Sequence, residues 1–312
     1  MAGFPDNPQS GDPLSDRDVV LASLADSEPQ GSPRRRTWVR RLVILGAVAL
    51  VLGPLLYALV PAEISRWYEA SAIEKHLDGD AEGAIEDLGQ ALRWNPENFS
   101  VYHRRAGWRI DEGDYRGALE DCNRALTLGT DSEIYRQRGR AFQHLGRHQE
   151  AIANWRELAK IHENSSASQR ATTLNDLAYA QAVGNHAGDV EEAELEKALE
   201  NVQRALDLAG ENAAMLDTRG FIHYLRDDLK AAESDMDAAV PEMEELLAKV
   251  QASSQFADRR DFELQLEMIR QSVAVIRYHR ALVNDKLGKT DRAERDRRRV
   301  RELGYEPDDK LF

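Results

Sequence analysis

Small residues recur along this chain in triples with one fixed spacing, and no other feature restricts its fold so tightly. Ala72, Ala84 and Ala91 stand 12 and then 7 positions apart, and Ala106, Ala118 and Ala125 repeat the interval. Gly139, Ala151 and Leu158 keep it, as do Gly220, Ala232 and Ala239, and finally Ala281, Ala293 and Val300. Self-similarity of this kind belongs to stacked units, each burying a face against its neighbours. Between the first and second members lies a short Gly-Asp turn, as in "LDGDAEGAIEDLGQAL" and "DEGDYRGALEDCNRAL". The spacing predicts a helical hairpin, with the first small residue on helix A and the other two separated by two turns on one face of helix B. Small side chains at a crossing let two backbones approach closely. Leu88, Tyr115, Ile152, Trp155 and Met236 are placed to fill the space that remains.

These hairpins resemble the tetratricopeptide repeat, a helix-turn-helix unit of 34 residues. In residues 65–98, Gly79-Asp80, Ala84, Ala91 and Pro96 stand at the family's turn, crossing and terminating positions. In residues 99–132, Tyr102, Gly113-Asp114-Tyr115, Ala118 and Ala125 do the same, with Thr130 where proline is usual. The resemblance implies an all-α solenoid of about six hairpins over 65–307. Two departures interrupt it. Ala178, Ala198 and Ala205 open with an interval of 20, so eight extra residues enlarge that hairpin's turn. This segment resembles a lengthened variant of bacterial tetratricopeptide proteins, in which an "LAY" helix is followed by "LDT" (here Leu216-Asp217-Thr218), and it implies a bacterial source. Ala239 and Ala281 are 42 residues apart where 14 or 15 is usual between neighbouring regular repeats. The added residues read as two extended antiparallel helices forming an arm at about 241–276, with Pro241 at a kink. A seventh, degenerate repeat is the alternative.

The stretch "RRRTWVRRLVILGAVALVLGPLLYALV" differs in kind. Leu42 to Val60 carries no charge over 19 residues, which as a helix is roughly 28 Å, the thickness of a bilayer's hydrocarbon core. Trp38 on one flank and Tyr57, Trp67 and Tyr68 on the other suit the headgroup level. We read 38–61 as a transmembrane helix anchored between Leu42 and Val60; a buried core helix would carry a polar face. Arg34, Arg35, Arg36, Arg40 and Arg41 precede the span, and only Arg66 and Lys75 follow it closely. The positive-inside rule then puts the N-terminus in the cytoplasm and the repeats outside it, as in a bacterial inner membrane. A cleaved signal peptide ending near Val60-Pro61-Ala62 competes, but the 41 residues ahead of the apolar run favour an uncleaved signal anchor. Residues 1–37 hold five of the ten prolines and read as a disordered tail.

The chemistry of the chain points to binding. A formal net charge of −14 with 31% charged residues argues against nucleic acid. A single cysteine, Cys122, excludes an intramolecular disulfide and a Cys-rich zinc site, and its place on a B helix faces the core. His144 and His148 have a ligand-like spacing, but Gly146 ends the helix between them and no third ligand follows. There is no phosphate loop or nucleophile elbow, and the carboxylates read as solvated faces and caps. We therefore expect no catalysis, no cofactor, no metal and no small-molecule substrate.

The family resemblance implies a groove lined by A helices, and its groove positions fall here on His103, Arg104, Arg136, Gln137 and Arg140. A basic patch in an acidic body would receive an acidic peptide or a C-terminal carboxylate through bidentate arginines. In the alternative, these arginines pair with acidic groups of adjacent hairpins. Glu69 and Ile73 stand where chaperone-binding members carry Lys and Asn, so that specialised role is not implied. The closing "RAERDRRRVRELG" reads as a solvated capping helix. The whole suggests a scaffold for protein–protein interaction, held in lipid by one helix and serving assembly or maintenance of cell-envelope complexes, a step taken by analogy of fold and location. A cytoplasm-facing targeting receptor and a regulatory subunit of a separate enzyme are the alternatives.

Overall fold

A computed structural model of the chain describes residues 33–253 and 259–308, and every regular element among them is an α-helix. Most of the tail reading, residues 1–32, lies outside the described residues. Its last part is corrected: α1 runs Pro33–Leu77, so residues 33–37 are helical and the helix extends past 61 at its other end. The chain divides into two compact units, one up to Glu63 and one from Ile64.

In the first unit, α1 carries the apolar run. The window Thr37–Pro54 is long and apolar enough to cross a membrane, and none of it is buried. Leu50 is 79% exposed, the reverse of what a core helix shows.

The second unit is a series of hairpins. The C-terminal part of α1 pairs with α2 (Ala81–Trp94), α3 (Phe99–Asp111) with α4 (Tyr115–Leu128), and α5 (Ser132–His144) with α6 (His148–Ile161). They are followed by α7 (Ala167–His186) with α8 (Ala193–Ala209), α9 (Ala213–Leu225) with α10 (Leu229–Ala252), and α11 (Arg259–Lys286) with α12 (Thr290–Glu302). Local chemistry starts and stops these helices. The side chains of Asp80, Asn98, Asp114, Asn212 and Asp228 each accept an N–H from the first turn of the helix they precede. Gly113 turns α3 into α4 at φ +78°, and Asp227 holds the matching left-handed position before α10 at φ +62°.

The small-residue triples lie inside the hairpins, and the alanines among them are wholly buried. A Cβ added to Gly139 would lie 2.6 Å from the Trp155 ring, so the small residue and the large one opposite are matched. Leu88, Ile152, Trp155 and Met236 are buried around these crossings, each such side chain contributing about 1.5–3 kcal/mol.

A second, polar contact recurs in the same register. One residue before the small residue of helix A, an arginine reaches sixteen positions ahead to helix B. Arg105 donates to Asp121 at 2.8 and 2.5 Å, Arg219 to Asp235 at 2.8 and 2.7 Å, and Arg280 to Asp296 at 2.9 and 2.7 Å. Arg138 meets Asn154 at 2.8 Å, and Ser71 meets Asp87 at 2.6 Å. In the lengthened hairpin, Leu177 replaces the arginine, and Asn201 bonds Gln181 at 3.0 Å instead. These aspartates are buried, which corrects the expectation that the carboxylates lie on solvated faces and in caps. They are clasped because a buried charge without a partner is costly.

The two departures take definite form. The enlarged turn at residues 187–192 folds against the preceding hairpin: Gln149 donates to the Asp189 carbonyl at 3.0 Å, and Val190 packs against the Ile152 cluster. In the long insertion, α10 continues through Pro241 to Ala252. It lies antiparallel to α11, with Leu247 packed against Phe262, Leu266 and Val273. Helix α12 is not simply a solvated cap. Its Arg292 and Arg299 reach back to Asp237 and Glu244 of α10 at 2.5 and 3.0 Å.

Candidate functional site

Among the A helices of the second unit, α3 meets α5, α7 meets α9, and α9 meets α11. Successive B helices make no comparable approach among the described residues. A stack closer on its A side curves toward that side, so the A helices line the inner face. The five sequence-predicted residues all belong to α3 and α5.

They do not behave alike. His103 is half-buried beside Phe99, their rings 6.3 Å apart. Gln137 is buried, and a Cβ on Gly107 would come within 3.1 Å of its Nε2, so it packs between α3 and α5 as much as it lines a surface. Arg136 is held by Glu133 at 2.8 Å, one turn before it, which is the pairing alternative realised at that residue, although within its own helix. Arg104 and Arg140 make no hydrogen bond or ion pair among the described residues, and Arg140 is exposed. Two guanidinium groups on the A helices thus keep unused donors, five each.

Sequence reasoning missed the groups that surround them. Asp111 at the end of α3 and Asp176 on α7 both feel Arg140. Burial raises the carboxyl of Asp111 against the pull of Arg140. It pushes Asp176 up to about 7, against Arg136 and Arg140 together. His144 stacks on Tyr115 at 4.3 Å and is held below the ordinary imidazole range by burial and then by Arg140. The face is therefore one of alternating charge and not a uniform basic patch. Asn175 and Asp176 occupy groove positions of the lengthened hairpin, three and two residues before Ala178 as His103 and Arg104 stand before Ala106.

Two buried acceptors in this region have no donor: Gln137 Oε1 and Asn175 Oδ1. Beyond them, between α5, α7, α9 and α11, lies a cavity of about 320 Å³. Arg140 and Asn175 stand at its margin, with Tyr179, Ala214, Val275 and Met243 among its walls. On its far side the Asp217 carboxylate accepts from His279 Nδ1 at 2.9 Å, and His279 stacks on Phe221. Cys122 is buried in the core of α4, and burial holds its thiol up at about 12, so it is an apolar filler here and no nucleophile. His144 and His148 are not joined by further ligands: no cluster of three metal-ligating side chains occurs among the described residues.

The fold has clear relatives. No family model matches the chain. A crystal structure of a tetratricopeptide repeat protein from Parabacteroides merdae aligns over 78% of this chain and 94% of its own, with TM-score 0.52 and 14% identity. Over 104 residues, 32% of this chain, the sequence is 36% identical to tetratricopeptide repeat protein 36 of Bos taurus.

The chain has the fold of a tetratricopeptide-like helical solenoid.

The human tetratricopeptide repeat protein 36 is 33% identical over the same length. The chain spans about half the length of these curated relatives, 55% in each case. PilW, a widely conserved type IV pilus biogenesis factor, shares the repeat fold at TM-score 0.51 and 14% identity, over 77% of this chain and 93% of its own. The inner face of this solenoid, lined by the A helices, is thus the candidate site.

Proposed function

We propose that this protein is a membrane-anchored scaffold whose A-helix groove holds an extended, acidic segment of a partner protein. One observation carries the reading. Arg104 and Arg140 lack acceptors while Gln137 Oε1 and Asn175 Oδ1 lack donors, all on the A helices α3, α5 and α7. An extended peptide supplies both kinds of group, with backbone N–H for the amide oxygens and carboxylates for the guanidiniums. Buried polar atoms are rarely left unpaired, and a ligand that completes them gains more than one that only touches the surface.

The anchor rests on the exposed apolar stretch of α1 and on the arginines that precede it. Exposed leucines in a continuous row cost free energy in water and gain it in lipid. The five arginines before the span favour a cytoplasmic N-terminus and an extracytoplasmic groove. Work in a cell-envelope assembly follows from that location, and PilW is a precedent for the fold in such a role.

The test is a capture experiment with the full chain in detergent. Membranes of the source cell are passed over wild type and over an Arg104→Glu/Arg136→Glu/Arg140→Glu variant shown by circular dichroism to be folded. A partner held by wild type and lost by the variant supports the groove, whereas equal capture by both removes it. Alkaline phosphatase fused after residue 312 separately tests the orientation, since an inactive fusion would place the repeats in the cytoplasm.

A further inference from the structure

We propose that the inserted arm closes one end of the groove into a pocket for a single large apolar side chain of the bound segment, with a neighbouring carboxylate of that segment held by Arg140. This rests on the peptide-groove reading above and adds to it the sequence that the groove selects.

The geometry begins with what the arm contributes. A regular repeat would pass from the end of its B helix to the next A helix in a few residues. Here α10 runs on beyond Ala239, and α11 begins well before Ala274, where the repeat register resumes. Met243 from the first extension, and Gln271 and Ser272 from the second, all line the 320 Å³ cavity. Without them the groove would be open at this end. The volume is at the low end for ligand pockets, suited to one side chain rather than to a helix.

The polar groups at the back of the pocket are already satisfied. Asp217 is engaged by His279 at 2.9 and 3.0 Å, and Thr218 donates to the Ala214 carbonyl at 3.0 Å. Tyr179, Ala214, Val275 and Ile276 leave the lining with more apolar than polar surface. The margin is the reverse, with the unpaired guanidinium of Arg140 and the amide of Asn175, whose Oδ1 has no donor. An apolar interior beside an unpaired cation calls for an apolar residue next to an acidic one.

The charges around Arg140 add a signature. From α3 it faces Asp111, and from α7 Asp176; on its own helix stand Arg136, paired with Glu133, and His144. Across the pocket α9 and α11 present the Asp217–His279 pair. An incoming carboxylate adds negative charge beside Asp176, whose carboxyl burial already raises to about 7. Like charge favours the protonated form further. The complex therefore takes up a proton, and affinity rises as pH falls from 8 to 6.

The probes are fluorescein-labelled dodecapeptides of Gly-Ser sequence with Glu-Glu-Phe, Glu-Glu-Ala or Gln-Gln-Phe at the centre, titrated by anisotropy with the full chain in detergent at pH 6 and pH 8. At pH 6 Glu-Glu-Phe should bind about tenfold tighter than either of the others, the low end for burying an aromatic ring. Ala214→Trp fills the pocket and should remove the preference for Phe while leaving Glu-Glu-Ala unchanged. Ser272→Trp does the same from α11, should the first variant fail to fold. Asp176→Asn should abolish the threefold to tenfold tightening between pH 8 and pH 6. Equal binding of Glu-Glu-Phe and Glu-Glu-Ala overturns the pocket, as does a Phe preference that survives filling in a folded variant. If both Glu-Glu peptides bind equally and the triple arginine variant abolishes both, the groove reading survives alone. No binding of any peptide at either pH overturns both.

Discussion

Replacing Arg219 by leucine should cost far more than replacing its partner Asp235, and replacing both should cost little. The guanidinium donates twice to Asp235, at 2.8 and 2.7 Å, between α9 and α10. Their side chains are 19% and 10% exposed. Removing one member of a buried ion pair costs about 3–5 kcal/mol, because it leaves the other charge without compensation. The two sides differ in what can relax. Arg219 lines an open cleft between α8 and α10 and has Gln203 within 3.2 Å, so without Asp235 its flexible stem can carry the charge to water. Asp235 borders the same cleft, but it is short and buried at the crossing, so its carboxylate cannot swing out to water as a long stem can. We expect about 3–4 kcal/mol for Arg219→Leu, about 1–2 for Asp235→Leu, and a double leucine variant within about 1 kcal/mol of wild type. Leu177 occupies the equivalent place in the lengthened hairpin, so the fold tolerates an apolar residue there. The assay is urea denaturation by far-UV circular dichroism, with hydrogen exchange in α9 and α10 to report local opening, since repeats need not unfold as one unit. A double variant as unstable as the sum of the singles would mean that the two side chains are not coupled, and would refute the reasoning.

Gly139→Ala should destabilise α5–α6 by about 1–3 kcal/mol, because its Cβ would lie 2.6 Å from the Trp155 ring; an unchanged urea midpoint would show that the ring yields. Asp227→Gly should stabilise the chain by about 0.5–1 kcal/mol, since a left-handed φ of +62° strains any residue with a Cβ. Its surface pair with Lys286 at 3.3 Å offsets little of that gain. Asp176→Asn should raise stability at pH 8 and not at pH 4. The folded carboxyl titrates near 7, above its ordinary value, so ionisation destabilises the fold as pH rises from about 4 through 7. Three pH units correspond to at most about 4 kcal/mol, and denaturation curves at both pH values measure it.

The hairpins, their number and their crossing points were legible in the sequence, because 12- and 7-residue intervals permit few helical arrangements and close crossings favour small residues. The clasps were written there as well, sixteen positions apart and beside each small residue. They went unread because a lone Arg or Asp on a helix is ordinarily a solvated one. The groove was half legible. Arg104 and Arg140 lack pairs, but Arg136 has Glu133 beside it and Gln137 is buried. Asn175 and Asp176 stand in register, three and two positions before Ala178 as His103 and Arg104 stand before Ala106, but an amide and an acid do not read as part of a basic patch.

Periodicity along the chain thus determined the hairpin, its register and the apolar run, since each depends on neighbours a turn or two away. Which charges find partners, and whether the arm encloses a cavity, was decided only by the tertiary structure. Residues as far apart as Arg140, Ala214 and Val275 acquire a shared environment only when three hairpins have stacked, and a side chain's pairing, burial and titration are properties of that environment.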